Sequence, residues 1–168
     1  PPLPIRFLFP ASRDSTISYG SWVMIIEGGQ SAAGAAIDQL LSFHPAFDEA
    51  NKQAQQAGQP LLVWLADQIL AKTAQPSDAV ALAKGLHVVP EFLGNRAPFA
   101  DPHARAVICG LGMECDQDNL LVLYVAGLCG IVYGLRQILI RLGVVNKNIV
   151  ICGGAGQHPL VRQILAVW

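Results

Sequence analysis

Residues 120–135 carry no charged side chain and include Gly127, Gly130 and Gly134. Such a run either crosses a membrane or fills the centre of a globular core, and its length decides between them. A membrane span needs roughly 20 apolar residues. Sixteen, with three glycines and with Asp118 and Arg136 at the borders, read as a central buried helix. Asp116 or Asp118 is the expected N-cap, the helix runs over about 119–142, and Gly143 stands just beyond as its C′ residue. Arg136 and Arg141 fall in the last turns, where the macrodipole favours cations.

Strands and helices alternate around this run. Residues 22–26 form a five-residue apolar run that reads as a strand. Ser31 is the expected N-cap of a helix over 32–43, with Ile37, Leu40 and Leu41 on one face and a stop before Pro45. A polar helix over 45–58 follows. Pro60 then opens another over 61–73, with Leu62, Leu65, Ile69 and Leu70 inward. Ser77 with Asp78 caps a short helix ending at Gly85. Residues 86–93 predict a strand that Pro90 interrupts, 94–102 a long turn, and 106–111 a short strand and turn. The last units are an apolar strand over 149–152, a turn at Gly153, Gly154 and Gly156, and a helix opened by Pro159. Residues 1–21 read as an irregular, proline-rich arm with a short edge strand over 5–9, and 22–168 as the domain. Alternating apolar strands and helices imply an α/β layer structure.

Composition narrows the function. The chain is 52% hydrophobic and 14% charged, with a formal net charge of −1. That supplies ample core and leaves no electrostatic footprint for nucleic acid or an anionic membrane. So low a charged fraction also implies that another domain or subunit covers part of the surface. Cys109, Cys115, Cys129 and Cys152 form no Cys-x-x-Cys pair and have no histidine in a ligand pattern. They read as reduced, buried cysteines of a cytoplasmic protein, and no metal ligands are expected. The prolines among residues 1–10 leave no secretory h-region.

Two stretches invite a ligand. The turn at Gly153, Gly154 and Gly156 lacks the Lys-Ser or Lys-Thr of a nucleoside triphosphatase loop. Pro159 stands where a dinucleotide fingerprint needs its third glycine. What is left is either a ligand-contacting turn or a tight strand-to-helix connection. Ala32, Ala33, Gly34, Ala35 and Ala36 likewise allow either close helix packing or a flat surface for a planar ligand. His87 reads as a satisfied core or edge histidine, and Arg96 with Asp101 as a structural ion pair ahead of a site role.

Four motifs share one resemblance. The first is Gly-Gly-Ala-Gly-Gln-His-Pro-Leu-Val-Arg-Gln-Ile-Leu-Ala at 153–166 and the second Glu-Gly-Gly-Gln-Ser-Ala-Ala-Gly-Ala-Ala-Ile-Asp at 27–38. The third is Phe-Leu-Gly-Asn-Arg-Ala-Pro-Phe-Ala-Asp-Pro-His-Ala-Arg-Ala at 92–106, and the fourth the Cys109-Gly110-Leu111 turn, a seven-residue gap and Asn119. Together they resemble the carboxy-terminal domain of the FGGY carbohydrate kinases, especially the ribulose-kinase-like branch. Leu123, Tyr124 and Ala126 depart from the small and acidic residues usual late in the fourth motif.

The resemblance implies a ribonuclease-H-like domain of the actin and hexokinase superfamily, incomplete, with helices on a mixed sheet. It implies that Gly154 and His158 lie at an adenosine, that Gly153 and Ala155 shape the turn, and that Gly34 and Asp38 form the facing wall. His158 would either donate a hydrogen bond to the ligand or cap its helix. Relatives carry asparagine or serine at that position, and glutamine at the position of Asp38. ATP and Mg2+ are the implied cofactors. No residue of this chain matches the family's catalytic aspartate, so no catalytic residue is expected here, and the chain reads as part of a kinase. The expected function is the ATP-binding domain of an enzyme that phosphorylates a pentulose such as ribulose, inactive by itself. The alternative is a truncated, non-catalytic module that packs on a partner and binds nucleotide weakly or not at all. Expected partners are the amino-terminal kinase domain, a sugar only in the complete enzyme, and a second copy of the chain.

Overall fold

The computed structural model describes residues 7–10, 25–143 and 158–166, with 7–10 and 25–28 as backbone. Trp22 to Met24, the predicted strand over 149–152 and the glycine turn at Gly153, Gly154, Ala155 and Gly156 lie outside the described residues. In chain order the elements are β1 (Phe7–Pro10), β2 (Ile25–Gly28), α1 (Ala33–Ser42), α2 (Phe47–Gln56) and α3 (Leu61–Lys72). A 3-10 turn (Pro76–Asp78) leads into α4 (Ala79–Leu82). Then come β3 (His87–Val89), β4 (Val107–Cys109), α5 (Gln117–Arg141) and α6 (Pro159–Ala166).

The uncharged run forms the middle of α5, and most of the other helices are built on it. α1, α2, α3, α4, α6 and β3 all pack against this helix. Leu120, Leu121, Val125 and Ile138 of α5 are fully buried with Leu40 and Leu41 of α1, Leu65 and Ile69 of α3, and Leu160 and Ile164 of α6. Each such side chain contributes about 1.5–3 kcal/mol by leaving water. By length and composition α5 could cross a membrane, yet 67% of its most apolar stretch is buried among the other elements. Its ends follow the sequence. The Asp116 carboxylate accepts the Asn119 N–H at 2.8 Å. Gly143, at φ 65°, turns the chain out of the helix and donates to Ile140 O at 3.1 Å.

The three α5 glycines lie where neighbours come close, with backbone as the neighbour at Gly130 and side-chain ends at Gly127 and Gly134. A Cβ on Gly127 would meet Leu40 Cδ2 at 2.7 Å and Ile37 Cδ1 at 2.8 Å, so α1 lies directly on this turn. A Cβ on Gly130 would strike the Val88 carbonyl of β3 and come within 3.1 Å of Pro90 Cδ. A Cβ on Gly134 would strike the Gln30 side chain, whose amide donates to Ile131 O at 2.9 Å.

Three expectations change. α1 begins at Ala33, after Ala32 in the left-handed region (φ 50°, ψ 44°), with no side-chain cap. Ser31 therefore stands one residue outside the N-cap position. The 3-10 turn is capped by Gln75 and Asp78 rather than Ser77, with Gln75 N–H donating to Asp78 Oδ2 at 3.1 Å. A mixed sheet is not found among the described residues. β1 pairs antiparallel with β2, from Phe7↔Gly28 to Pro10↔Ile25, and β3 with β4, from His87↔Cys109 to Val89↔Val107. β3 stops before Pro90, and β4 stops at Gly110, where φ is 93° and a side chain would strike the Gly85 carbonyl. β1 falls at the edge strand expected within the amino-terminal arm.

Candidate functional site

α1 divides its small residues between two faces. Ala33, Ala36 and Ile37 are buried toward α5, whereas Gly34, Ala35 and Asp38 are exposed. Close packing and a flat outer surface, alternatives from sequence, therefore coexist on one helix. Among the described residues, a Cβ placed on Gly34 meets nothing within 4 Å. Asp38 stands one turn on, above the same outward surface. Partial burial raises the Asp38 carboxyl above its ordinary value. Beneath it lies Tyr124 of α5, one turn before Gly127 and 3% exposed. Burial lifts the Tyr124 phenol well above its ordinary value, and the Asp38 charge adds to that. Tyr124 drew notice in the sequence only as a departure from a motif, and its place under Asp38 depends on the α1–α5 contact.

His158 opens α6. Its Nδ1 accepts the Leu160 N–H at 3.2 Å, and its carbonyl accepts the Arg162 N–H at 3.2 Å, so the ring caps the helix. That bond leaves the proton on Nε2, which donates to Asp67 Oδ1 of α3 at 3.1 Å. Asp67 Oδ2 also accepts Gln59 Nε2 at 3.0 Å. Both ring nitrogens of His158 thus have protein partners. Asp67 is a residue the sequence reading missed. His44 repeats the arrangement: Nδ1 accepts the Ala46 N–H at 3.1 Å, and Nε2 donates to Asn119 Oδ1 of α5 at 3.1 Å. In both cases proline follows the histidine and the accepted N–H is two residues on. The His-Pro dipeptides at 44–45 and 158–159 are the signal that could have found them.

The loop of the third motif is a closed, satisfied turn. Asn95 is 9% exposed. Its N–H donates to Asp101 O at 2.8 Å, its Oδ1 accepts the Phe99 N–H at 3.0 Å, and its Nδ2 donates to Glu91 Oε1 at 2.8 Å. Asp101 Oδ1 accepts the His103 N–H at 2.8 Å. The Arg141 guanidinium stacks over the Phe99 ring at 5.6 Å, tying the loop to the end of α5. His87 is an exposed residue of edge strand β3.

Of the site residues expected from sequence, Gly34 and Asp38 share one open helix face, and His158 starts a helix that packs, like α1, on α5. Gly153, Gly154 and Ala155 lie outside the described residues. Among the described residues no three His, Cys, Asp or Glu side chains gather as metal ligands. Of the cysteines, Cys109 and Cys115 are exposed, which corrects the expectation that all are buried; Cys129 is buried in α5.

A family model for the C-terminal domain of the FGGY family of carbohydrate kinases matches residues 7–167. An FGGY carbohydrate kinase domain-containing protein of Xenopus laevis is 37% identical over 150 residues, covering 88% of this chain and 27% of that protein. The Homo sapiens protein of the same description is 35% identical over 151 residues, with the same shares of 88% and 27%. A D-ribulokinase of Saccharomyces cerevisiae is 32% identical over 155 residues, covering 89% of this chain and 21% of that protein. The chain thus spans about a quarter of the length of the curated relatives it matches. Among solved structures, a xyloylose kinase from Brucella ovis superposes with a TM-score of 0.55 at 20% identity, over 83% of this chain and 25% of that one. That likeness concerns the fold alone. On the match across 7–167 and the four motifs that run through it, the chain belongs to the FGGY family of carbohydrate kinases, as its C-terminal domain.

Proposed function

We propose that the chain is the ATP-binding domain of a cytoplasmic kinase that moves the γ-phosphoryl group of ATP to a hydroxyl of a pentulose such as ribulose. Family membership and the similarity to a D-ribulokinase support this reading. The structural observation that carries it is the open face of α1, where Gly34 offers backbone without side chain and Asp38 rises beside it. A planar base can lie on such a surface, and a carboxylate can accept hydrogen bonds from an amine or a ribose hydroxyl. In the same reading Gly154 and His158 line the opposite side of the adenosine, with Gly153 and Ala155 setting the turn.

The domain contributes binding and orientation. Phosphoryl transfer depends mainly on positioning and on neutralising the phosphate charge, which Mg2+ supplies when bound with the nucleotide. The described residues gather no ligand set for that ion, so none of them is assigned to it. The sugar pocket and the base that takes the hydroxyl proton are assigned to the remainder of the kinase, the domain's main partner. No nucleic acid and no membrane enter the reading. In an assay of ATP-dependent phosphorylation of D-ribulose, the chain alone is expected to show no turnover above background. Robust turnover would refute the assignment of the base and pocket to another domain.

One observation favours a partner-packing module as the second reading. Val89 and Val107 face each other across β3–β4 and are 50% and 54% exposed, an apolar outer face on a two-stranded sheet. A module of this kind would associate through that face while leaving adenine nucleotide unbound, and calorimetric titration with nucleotide separates the two readings.

A further inference from the structure

The His158 ring has no hydrogen-bond donor left for a ligand. Its Nδ1 accepts the Leu160 N–H at 3.2 Å, so that nitrogen carries no proton. Its Nε2 carries the proton and donates it to Asp67 Oδ1 at 3.1 Å, a partner 91 positions away in the chain. To donate to an adenosine the ring would have to leave that carboxylate. With its proton on Nδ1 instead, it would give up the cap of α6.

Asp67 is itself held in place. It lies within α3, between the buried Ala66 and Ile69. Its Oδ2 accepts Gln59 Nε2 at 3.0 Å, and the Gln59 N–H donates to Ala54 O in the last turn of α2 at 3.0 Å. An unbroken run of hydrogen bonds therefore leads from α2 through Gln59, Asp67 and His158 to the first turn of α6. Leu160 and Ile164 bury the body of α6, but apolar burial is non-directional and sets no exact starting point for a helix. The directional bonds at His158 supply one. The Asp67 side chain is 46% exposed, and so open a contact adds little to stability. Its effect lies in placement. The residue before His158 is Gln157, which ends the glycine-rich stretch 153–157.

On the reading that this stretch seats an adenosine, we propose that Asp67 is a positioning residue for the nucleotide. Through the His158 ring it fixes the start of α6, and with it the glycine turn, while the ring itself makes no hydrogen bond to the nucleotide.

The test reads the His158 ring by long-range proton–nitrogen correlation spectra, the backbone amides of residues 153–157, and ATP affinity by calorimetry. The ring of the parent chain is expected to hold its proton on Nε2, both free and with saturating ATP. Asp67→Ala should lose that single tautomer, shift the 153–157 amides and weaken ATP about tenfold, with little change in thermal midpoint. Asp67→Asn keeps an oxygen that can accept from Nε2, so it should restore the tautomer and most of the affinity. The His44 ring, with its own partners Ala46 and Asn119, should respond to neither variant. The proposal is overturned by a parent ring protonated on Nδ1, by transfer of the Nε2 bond from Asp67 to bound ATP, by Asp67→Ala leaving the turn amides in place, or by Asp67→Asn behaving like Asp67→Ala. A parent chain that binds no ATP contradicts the nucleotide reading instead, and the ring and turn resonances still decide whether Asp67 places the turn.

Discussion

At the scale of single residues, the two His-Pro pairs show how one side chain links two helices. His158 caps α6 through Nδ1 and reaches Asp67 of α3 through Nε2; His44 fixes its own turn and reaches Asn119 of α5. Replacing His158 by alanine removes the cap and an Asp67 partner and should cost about 1 kcal/mol or more. Asparagine, whose oxygen can still accept the Leu160 N–H, should recover part of that loss in denaturant unfolding. Asp38 gives a prediction with a pH sign. Its carboxyl is raised in the folded chain, so folding favours the protonated form. Its stabilising contribution is complete below the ordinary carboxylate pKa and is lost as the pH climbs through the raised value. Asp38→Asn should therefore raise the thermal midpoint slightly at neutral pH and give no gain in acid, the effect being small because the group is largely exposed. Burial pushes the Cys129 thiol up to about 11, whereas Cys109 and Cys115 are exposed. Iodoacetamide on the native chain, read by peptide mass mapping, should label Cys109 and Cys115 and spare Cys129.

At the scale of elements, α5 organises the molecule, and its glycines mark where other elements touch it. The same substitution should have opposite signs at two glycines. Gly130→Ala forces a methyl group into the Val88 carbonyl and should destabilise by about 1–3 kcal/mol. Gly34→Ala meets nothing within 4 Å among the described residues and should stabilise α1 by up to about 1 kcal/mol. Denaturant melts of both variants check the pair. Much of this scale was legible in the sequence. The uncharged run of residues 120–135, the Asp116 cap and Gly143 mark out α5, because helix periodicity and end signals are local. The start of α1 was misplaced because Ala32 adopts positive φ without the glycine that would announce it. Strand pairing was illegible for a different reason. β3 and β4 are three residues each, with seventeen residues between them, and nothing local in so short a pattern fixes a direction of pairing. Within the candidate site, motif resemblance pointed to Gly34, Asp38 and His158. Asp67 and Tyr124 join those residues only through contacts between helices far apart in sequence.

At the scale of the whole molecule, the core and the exposed surface tell complementary stories. α5 supplies one continuous core that involves α1, α3 and α6, so the chain has an interior of its own. Several large apolar side chains nevertheless stand in the open, Leu93 at 70% and Met113 at 97% among them. Apolar surface of this kind fits a domain that meets other parts of an assembly, in keeping with its coverage of about a quarter of its relatives' length. The account turns on whether the open face of α1 receives the nucleotide. The direct measurement is a calorimetric titration of the chain and of its Gly34→Val variant with ATP. Among the described residues nothing lies within 4 Å of a Cβ on Gly34, so the substitution changes the surface of α1 and leaves the packing of the described elements in place. The account predicts saturable binding to the parent chain and at least about tenfold weaker binding to the variant, since a branched side chain would stand where the base lies. Equal affinity of the two proteins, or no binding to the parent chain, would contradict it.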